Sequence, residues 1–289
     1  MKELVVISGK GGTGKTSVTA ALAALSTNAV CADCDVDAAD LHLLLDPQIE
    51  RDEPFISGNI ARIDAAVCDG CRICYDLCRF EAINSGAVCR VNSTACEGCG
   101  VCVHFCPQQC IEFPPRRCGQ WFISSSRFGI MVHAALDIGA ENSGKLVSLV
   151  RREARAMAQQ QGSDLIIVDG PPGIGCPVIA ATTGADAVLV VSEPTCSGEH
   201  DLKRVLKLCS HFAVPAYVCV NKWDINAAMS DVIKAVTQQH GAEFIGTIPY
   251  DKQITAAQIA GKTVVEIGNS AASVAITQIW AELCSKMDI

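Results

Sequence analysis

Two short runs of cysteines are the most reactive feature of this sequence. Within each run, four cysteines follow one another with two, two and three residues between them. The runs are Cys68, Cys71, Cys74 and Cys78, followed by Cys96, Cys99, Cys102 and Cys106. Three thiolates at this tight spacing can surround one cube of iron and sulfide, and a fourth completes a [4Fe-4S] site. The runs therefore predict two [4Fe-4S] clusters.

The doubled run is the pattern of a bacterial two-cluster ferredoxin, in which the fourth cysteine of each run binds the other cluster. One cluster is thus assigned to Cys68, Cys71, Cys74 and Cys106, and the other to Cys96, Cys99, Cys102 and Cys78. Zinc sites also use cysteine pairs, but they lack this rhythm. Arg79 stands where a proline often follows the fourth cysteine. We expect that departure to change the local turn and to leave ligation intact.

A glycine-rich loop near the N-terminus is the second chemical feature. The segment GKGGTGKT fits the phosphate-binding pattern G-x-x-x-x-G-K-[ST], between an apolar run and a helical one. Its residues are Gly9, Lys10, Gly11, Gly12, Thr13, Gly14, Lys15 and Thr16. Backbone N–H groups would surround phosphate oxygens, Lys15 would reach the outer phosphates, and the Thr16 hydroxyl would bind Mg²⁺. Lys10 is not required by the pattern and is either a solvated charge or a specialised one.

Two further polar motifs follow apolar runs. Asp169 ends LIIVD and precedes a glycine-rich segment, at a position from which a carboxylate can hold Mg²⁺ through water. The segment NKWD, residues 221–224, is ambiguous, because Asn-Lys-x-Asp after a strand also reads guanine in many P-loop GTPases. The motifs predict a Mg-nucleotide site, and by themselves they leave both ATP and GTP open as the nucleotide.

The elements that must position these residues alternate at both ends of the chain. Five short runs, apolar on both faces, predict strands at 4–8, 29–33, 165–169, 187–192 and 216–221. Helices are predicted at 15–26, 143–161, 197–211, 227–240 and 270–285. This alternation predicts an α/β fold with a doubly wound, mostly parallel sheet.

The alternation stops in the middle of the chain, where cysteines, glycines and short strand-like pieces replace it. We therefore predict a P-loop ATPase domain in two parts, 1–56 and 116–289, with an inserted α+β ferredoxin domain at 57–115. Ten of the 18 cysteines lie outside the two runs (18 − 8 = 10), and most suit small buried positions. Cys176 is predicted to pack in the same way, with cluster ligation as the alternative.

Composition limits the classes of partner. The chain has 289 residues, 49% of them hydrophobic, and a formal net charge of −8. Nucleic-acid binding needs clustered Lys and Arg, which the sequence lacks, so no nucleic-acid partner is expected. No apolar run reaches the ~20 residues that span a bilayer, and none is typical of a signal peptide. These features predict a cytoplasmic protein without membrane insertion.

Outside the insert, these motifs resemble the MinD/ParA superfamily of P-loop ATPases, which includes the nitrogenase iron protein and the Mrp-type iron–sulfur carriers. The resemblance is carried by the P-loop with its early lysine, the segment DCDVDAADLHLLL at 33–45, and the acidic strand end LIIVDGPPG. It implies that Lys10 reaches the phosphates of a partner subunit in a nucleotide-dependent homodimer. It also implies that Asp35 positions the attacking water and that Asp33 lies near Mg²⁺.

The same resemblance assigns the adenine base to Asn221 and to the loop that contains Pro249. Together with the cysteine insert, it implies an ATPase whose nucleotide-driven dimerisation gates electron or cluster transfer to a redox or metallocofactor-accepting partner. Catalytic roles would fall to Lys10, Lys15 and Asp35. One alternative is a positioning ATPase whose clusters sense redox state. Another is a ferredoxin electron carrier with a regulatory nucleotide site.

Overall fold

The computed structural model describes residues 1–140 and 142–289, which divide into two compact units. The larger unit comprises Met1–Glu53, Trp121–Ala135 and Ser143–Ile289, and the smaller comprises Pro54–Gln120 and Leu136–Asn142. The predicted insert, 57–115, falls inside the smaller unit. That unit also takes in a short segment, Leu136–Asn142, which sequence reasoning had left with the ATPase domain.

Strands and helices alternate toward both ends of the chain, where the apolar runs predict them, and further strands and helices lie between and beyond the predicted ones. The strands are β1 (Lys2–Ser8), β2 (Ala29–Asp33), β3 (Gln48–Asn59), β4 (Arg62–Ile63), β5 (Ile83–Asn84), β6 (Arg90–Val91), β7 (Ile111–Glu112), β8 (Pro115–Ser126), β9 (Gly129–Leu136), β10 (Leu165–Pro172), β11 (Ala187–Ser192), β12 (Ala216–Asn221) and β13 (Glu243–Ile248). The helices are α1 (Lys15–Leu25), α2 (His42–Leu45), α3 (Ile73–Leu77), α4 (Val101–His104), α5 (Ser143–Gln161), α6 (Cys176–Thr182), α7 (Cys196–His211), α8 (Ala227–Gln239), α9 (Lys252–Ile259) and α10 (Ala271–Met287). Every predicted strand and helix is present, with no bound displaced by more than three residues. Among the helices of the described chain, none has the length and apolarity that crossing a membrane requires.

Within the described residues, nine strands form one sheet in the order β13-β12-β11-β1-β10-β2-β9-β8-β3. Neighbouring strands from β13 through β9 are parallel. Only Arg127 and Phe128 connect β8 to β9, and so short a connection makes these two strands antiparallel. From β1 the chain leads outward to β2 on one side of β1. It later returns to β10, which lies between β1 and β2, and then continues to β11 on the other side of β1. The predicted doubly wound, mostly parallel α/β class is thereby confirmed.

The parallel strands are apolar because helices cover both faces of the sheet. In β1, all of residues 4–7 are inaccessible to solvent. Helix α1 packs against α10, whereas α5 packs against α6. Because these strands run in one direction, their carboxyl ends meet at one edge of the sheet, where ligands bind in open α/β folds. The glycine loop, Asp33, Asp169 and Asn221 all lie at that edge.

The smaller unit is built from two copies of one motif, displaced by 28 residues (96 − 68 = 28). The displacement carries β4 onto β6, α3 onto α4, and β5 onto β7. Strand β4 pairs with β7 and β5 pairs with β6, both antiparallel, so each ribbon takes one strand from each copy. The small core between them is rich in cysteine. This exchange of strands explains how the cysteines of one copy come to lie beside those of the other.

Candidate functional site

The glycine loop between β1 and α1 lines a cavity of about 480 Å³ in the larger unit, a volume suited to a small ligand. Of the predicted nucleotide residues, the cavity wall contains Gly11, Gly12, Thr13, Gly14, Lys15, Thr16, Asp35, Asn221 and Pro249. Gly9 and Lys10 line a neighbouring cleft. Gly12 and Gly14 have φ angles of 79° and 89°, in the left-handed region that favours glycine. A side chain at Gly14 would also collide with the Asn221 amide.

Lys15 is buried between two carboxylates. Its Nζ lies 2.8 Å from Asp169 Oδ1 and 3.3 Å from Asp35 Oδ2. Burial lowers the pKa of the Lys15 ammonium, but the two carboxylates outweigh burial and raise its pKa overall. The hydroxyls of Thr16 and Thr19 also donate to Asp169, at 2.8 and 2.9 Å. Sequence reasoning missed Thr19, although its place one helical turn after Lys15 could have indicated it.

Asp33 holds the segment that carries Asp35. It lies directly beside Asp169 on the neighbouring strand. Its carboxylate accepts the backbone N–H of Asp35 at 3.1 Å and that of Leu41 at 3.3 Å. Burial and the nearby Asp169 carboxylate raise the pKa of Asp33 well above its usual value. Asp169 therefore lies beside both Thr16 and Asp33, the other two residues predicted to hold Mg²⁺. Their side-chain oxygens make hydrogen bonds within the protein.

Lys10 is bound within its own chain. It forms an ion pair with Glu193, and its Nζ lies 3.0 Å from Ser197 Oγ and 3.4 Å from Thr195 Oγ1. These three partners lie at the start of α7 and just before it. The Lys10 charge is therefore paired within its own chain, although its side chain remains partly exposed. To act on a partner subunit, the side chain would first have to leave Glu193.

The side-chain amide of Asn221 holds the glycine loop in place. Its Nδ2 donates to the carbonyl of Thr13 at 2.8 Å, and its Oδ1 accepts the N–H of Lys222 at 3.0 Å. Asp224 accepts the N–H of Tyr250 at 2.7 Å, which fixes the loop after Pro249. Sequence reasoning had assigned Asn221 to the base only and missed this bracing contact. Gly14 was the sequence signal for this contact, because a residue without a side chain at that position leaves room for the Asn221 amide.

The cysteine runs line two separate pockets of the smaller unit. The first pocket is lined by Cys68, Cys71, Cys74 and Cys106, together with Cys89 and Cys110. The second is lined by Cys78, Cys96, Cys99 and Cys102. The fourth cysteine of each run thus lies with the other run, as the spacing predicts. Sequence reasoning gave no role to Cys89 and Cys110.

Each pocket is lined by four thiols from the two cysteine runs. Among the residues that the structure describes, no group of three or more His, Cys, Asp or Glu side chains is arranged to hold a metal ion. In a [4Fe-4S] cube, each cysteine binds a different iron, so the four sulfurs surround the cluster without converging on one point. The four run cysteines around each pocket match the number and type of ligands that such a cluster takes.

Among the cysteines outside the runs, those on strands and helices are mostly buried. Cys31, Cys209 and Cys219 pack as predicted. Cys176 begins α6 and is exposed, so its interpretation as a packing residue is wrong. The exposure of each of these cysteines follows from the packing of the element that carries it.

Comparison with known proteins bears on the fold and on the nucleotide site. The family described as "CobQ/CobB/MinD/ParA nucleotide binding domain" matches residues 4–264. The uncharacterized protein MJ0578 of Methanocaldococcus jannaschii is 31% identical over 284 residues, which cover 97% of this chain and 96% of that protein. The septum site-determining protein MinD of Pyrococcus horikoshii, complexed with Mg-ADP, has a similar fold at 17% identity, with a TM-score of 0.60 over 98% of this chain and 95% of that one. A chain of the MinC:MinD cell division protein complex of Aquifex aeolicus is similar at 20% identity, with a TM-score of 0.58 over 99% and 96%. The chain described here belongs to the CobQ/CobB/MinD/ParA family of nucleotide-binding domains.

Proposed function

We propose that this protein is an ATP-hydrolysing iron–sulfur protein, in which nucleotide-driven dimerisation and switching gate the transfer of electrons or clusters to a partner protein. One observation carries the proposal. A single chain joins a glycine loop whose lysine is already buried between Asp35 and Asp169 to eight cysteines divided four and four between two pockets. Nucleotide turnover and one-electron chemistry can therefore be coupled within one molecule.

The nucleotide site supports phosphoryl transfer, which requires charge neutralisation and an oriented nucleophile. Lys15 would exchange Asp169 for the outer phosphates of the nucleotide. Thr16 and Asp169 would then be free to hold Mg²⁺, with Asp33 beside them, and the ion would neutralise phosphate charge. Asp35 lies on the cavity wall and would orient the attacking water. Burial raises the pKa of Asp35, and Lys15 beside it opposes that rise.

ATP is favoured over GTP as the nucleotide. Asp224, the residue that would read guanine, accepts the N–H of Tyr250 at 2.7 Å through Oδ1, so one of its two carboxylate oxygens is already engaged. The similar MinD structure from Pyrococcus horikoshii contains Mg-ADP, an adenine nucleotide. Asp224, the acidic residue of NKWD, therefore makes a hydrogen bond to the loop that would cover the base.

Asn221→Ala is expected to weaken the binding of ATP and GTP analogues alike. The change leaves the buried Thr13 carbonyl without its donor, which costs about 1–3 kcal/mol. We expect this cost to appear in the binding free energy, because the nucleotide needs the loop in its held conformation. Titration calorimetry with both analogues measures the effect. Asn226→Ala is the control, because Asn226 caps α8 and does not line the cavity. A change in the ATP-to-GTP preference alone would contradict the bracing role and support direct reading of the base.

The cysteine unit would serve as an inserted ferredoxin domain. The two clusters, when bound, would supply one-electron carriers, and the domain would hold them through four cysteines each. Covalent connections to the nucleotide unit are short. Only residues 36–47 separate Asp35 from β3, and β3 begins in the larger unit and ends in the smaller. A movement of the Asp35 segment on nucleotide binding thus has a direct chain path to the cysteine unit.

The coupling has a reciprocal consequence that tests the proposed function. Linkage requires that cluster oxidation state change ATP affinity by the same factor by which ATP shifts the cluster equilibrium. We expect a difference of about 5–150-fold in the affinity of a non-hydrolysable ATP analogue between oxidised and dithionite-reduced protein. Lys15→Ala controls for signals that do not come from the glycine loop. Equal affinities, together with cluster potentials that nucleotide does not change, would mean that the cysteine unit is only flexibly tethered and does not respond to the nucleotide.

A positioning ATPase with redox-sensing clusters is the second candidate, because its relatives by fold include cell-division MinD proteins. The C-terminal helix α10 does not favour that role. It packs on α1, and its basic residue in the last turn, Lys286, pairs with Glu243. Membrane-surface helices instead present several basic residues beside an apolar face.

A further inference from the structure

The two cysteine pockets differ at two equivalent positions of the 28-residue repeat. The displacement carries Ala61 onto Cys89 (61 + 28 = 89) and Ala82 onto Cys110 (82 + 28 = 110). Both alanines line the second pocket, and both cysteines line the first. The first pocket therefore has six thiols and the second has four.

The two additional thiols touch the ligands predicted for the first cluster. The sulfurs of Cys110 and Cys106 are 3.5 Å apart, and Cys110 also lies close to Cys68. Cys89 lies close to Cys74, and the two line the same pocket. Cys89 and Cys110 are 2% and 6% exposed, so neither faces solvent. The packing at these positions needs only a small buried residue, since alanine fills it in the other copy, and the sulfur is an addition.

We infer that Cys110 and Cys89 are reserve ligands of the first cluster, with Cys110 able to replace Cys106 and Cys89 able to replace Cys74. The inference depends on the proposed binding of clusters. Substitution is a balanced exchange of ligands. The incoming thiol loses its proton as its sulfur–iron bond forms, the outgoing sulfur takes up a proton as its bond breaks, and no electron is transferred. Among the described residues, the lining of the second pocket offers no such reserve.

The test compares cysteines that are equivalent in the repeat. Cys106→Ala and Cys78→Ala each remove the fourth cysteine of a run, but only Cys106 has a neighbouring reserve thiol. In anaerobically purified protein, we expect Cys106→Ala to keep about eight iron atoms per chain and Cys78→Ala to keep about four. Electron paramagnetic resonance of the reduced protein should show an altered first cluster in Cys106→Ala, because one of its ligands has changed.

Two double variants separate reserve ligation from an effect on folding. Removing the reserve, in Cys106→Ala with Cys110→Ala, should lower the iron content to about four atoms, whereas Cys110→Ala alone should keep about eight. Adding a reserve to the second pocket, in Cys78→Ala with Ala82→Cys, should restore about eight. The same logic applies to Cys74→Ala against Cys102→Ala.

The outcomes distinguish this inference from the proposal beneath it. If the unsubstituted protein contains eight iron atoms while Cys106→Ala and Cys78→Ala lose iron equally, the additional thiols are packing residues only. If Ala82→Cys fails to restore iron in Cys78→Ala, proximity of a thiol is not sufficient and the inference is also wrong. If the unsubstituted protein itself contains no iron, the binding of clusters is refuted.

Discussion

Lys10→Ala is expected to lower ATP hydrolysis by about 10²–10³-fold, the usual effect of removing one group that stabilises transition-state charge. ATP binding should stay close to that of the unsubstituted protein, because Lys10 lies outside the wall of the 480 Å³ cavity that holds Lys15 and Thr16. Steady-state hydrolysis and calorimetric titration with an ATP analogue measure the two effects separately. Unchanged hydrolysis would contradict a catalytic role for Lys10.

A mixing experiment tests whether Lys10 acts across a dimer. Asp35→Ala should bind ATP, fail to hydrolyse it and accumulate as a nucleotide-bound dimer, which light scattering detects. In a mixed dimer, the site with intact Asp35 receives an intact Lys10 from the other subunit. An equimolar mixture of the two inactive variants should therefore regain about a quarter of full activity, since half of the dimers are mixed and half of their sites are complete. No recovery would place Lys10 in its own subunit's site.

Glu193→Ala is the matched control for the contacts of Lys10. Glu193 forms the ion pair with Lys10 and also lies 3.7 Å from Lys222 Nζ. If the pair only stabilises the fold, Lys10→Ala and Glu193→Ala should impair hydrolysis to the same extent. If Lys10 must leave Glu193 to act, the Glu193 variant should keep or increase hydrolysis.

Anaerobically purified protein is expected to contain about eight iron atoms per chain and to give a cluster resonance after reduction. Cys99→Ala should remove about four of them, because Cys99 lines the second pocket, which has no reserve thiol. Iron analysis and electron paramagnetic resonance measure both effects. ATP binding should be retained, since the cysteine lies in the other compact unit.

Cys118→Ala supplies the control for this iron measurement. Cys118 is buried in the same unit, but its thiol bonds the Ser57 carbonyl at 3.2 Å and lines neither pocket. Its removal should leave the iron content at about eight atoms. Stoichiometric zinc, without any iron-derived signal, would instead support the zinc alternative and refute the clusters.

Local spacing in the sequence determined the chemical groups of this protein, the five strands at the centre of its sheet and its five longest helices. The glycine loop and the two cysteine runs are contiguous, so the reach of a few residues decides what they can surround. The strands were equally readable, because a strand buried on both faces must be apolar throughout. Sheet direction then followed from the alternation with helices, which requires crossover connections between parallel strands.

Tertiary structure alone decided the particular contacts that several distant side chains make. Asp33 and Asp169 are far apart in the chain, and the register of β2 and β10 makes them neighbours. Strand exchange between the two copies of the 28-residue motif likewise brings Cys89 and Cys110 to the first pocket. The partner of Lys10 and the bracing role of Asn221 depend on contacts of the same kind. Such pairings are set by strand register and helix packing over the whole fold, which no local spacing encodes.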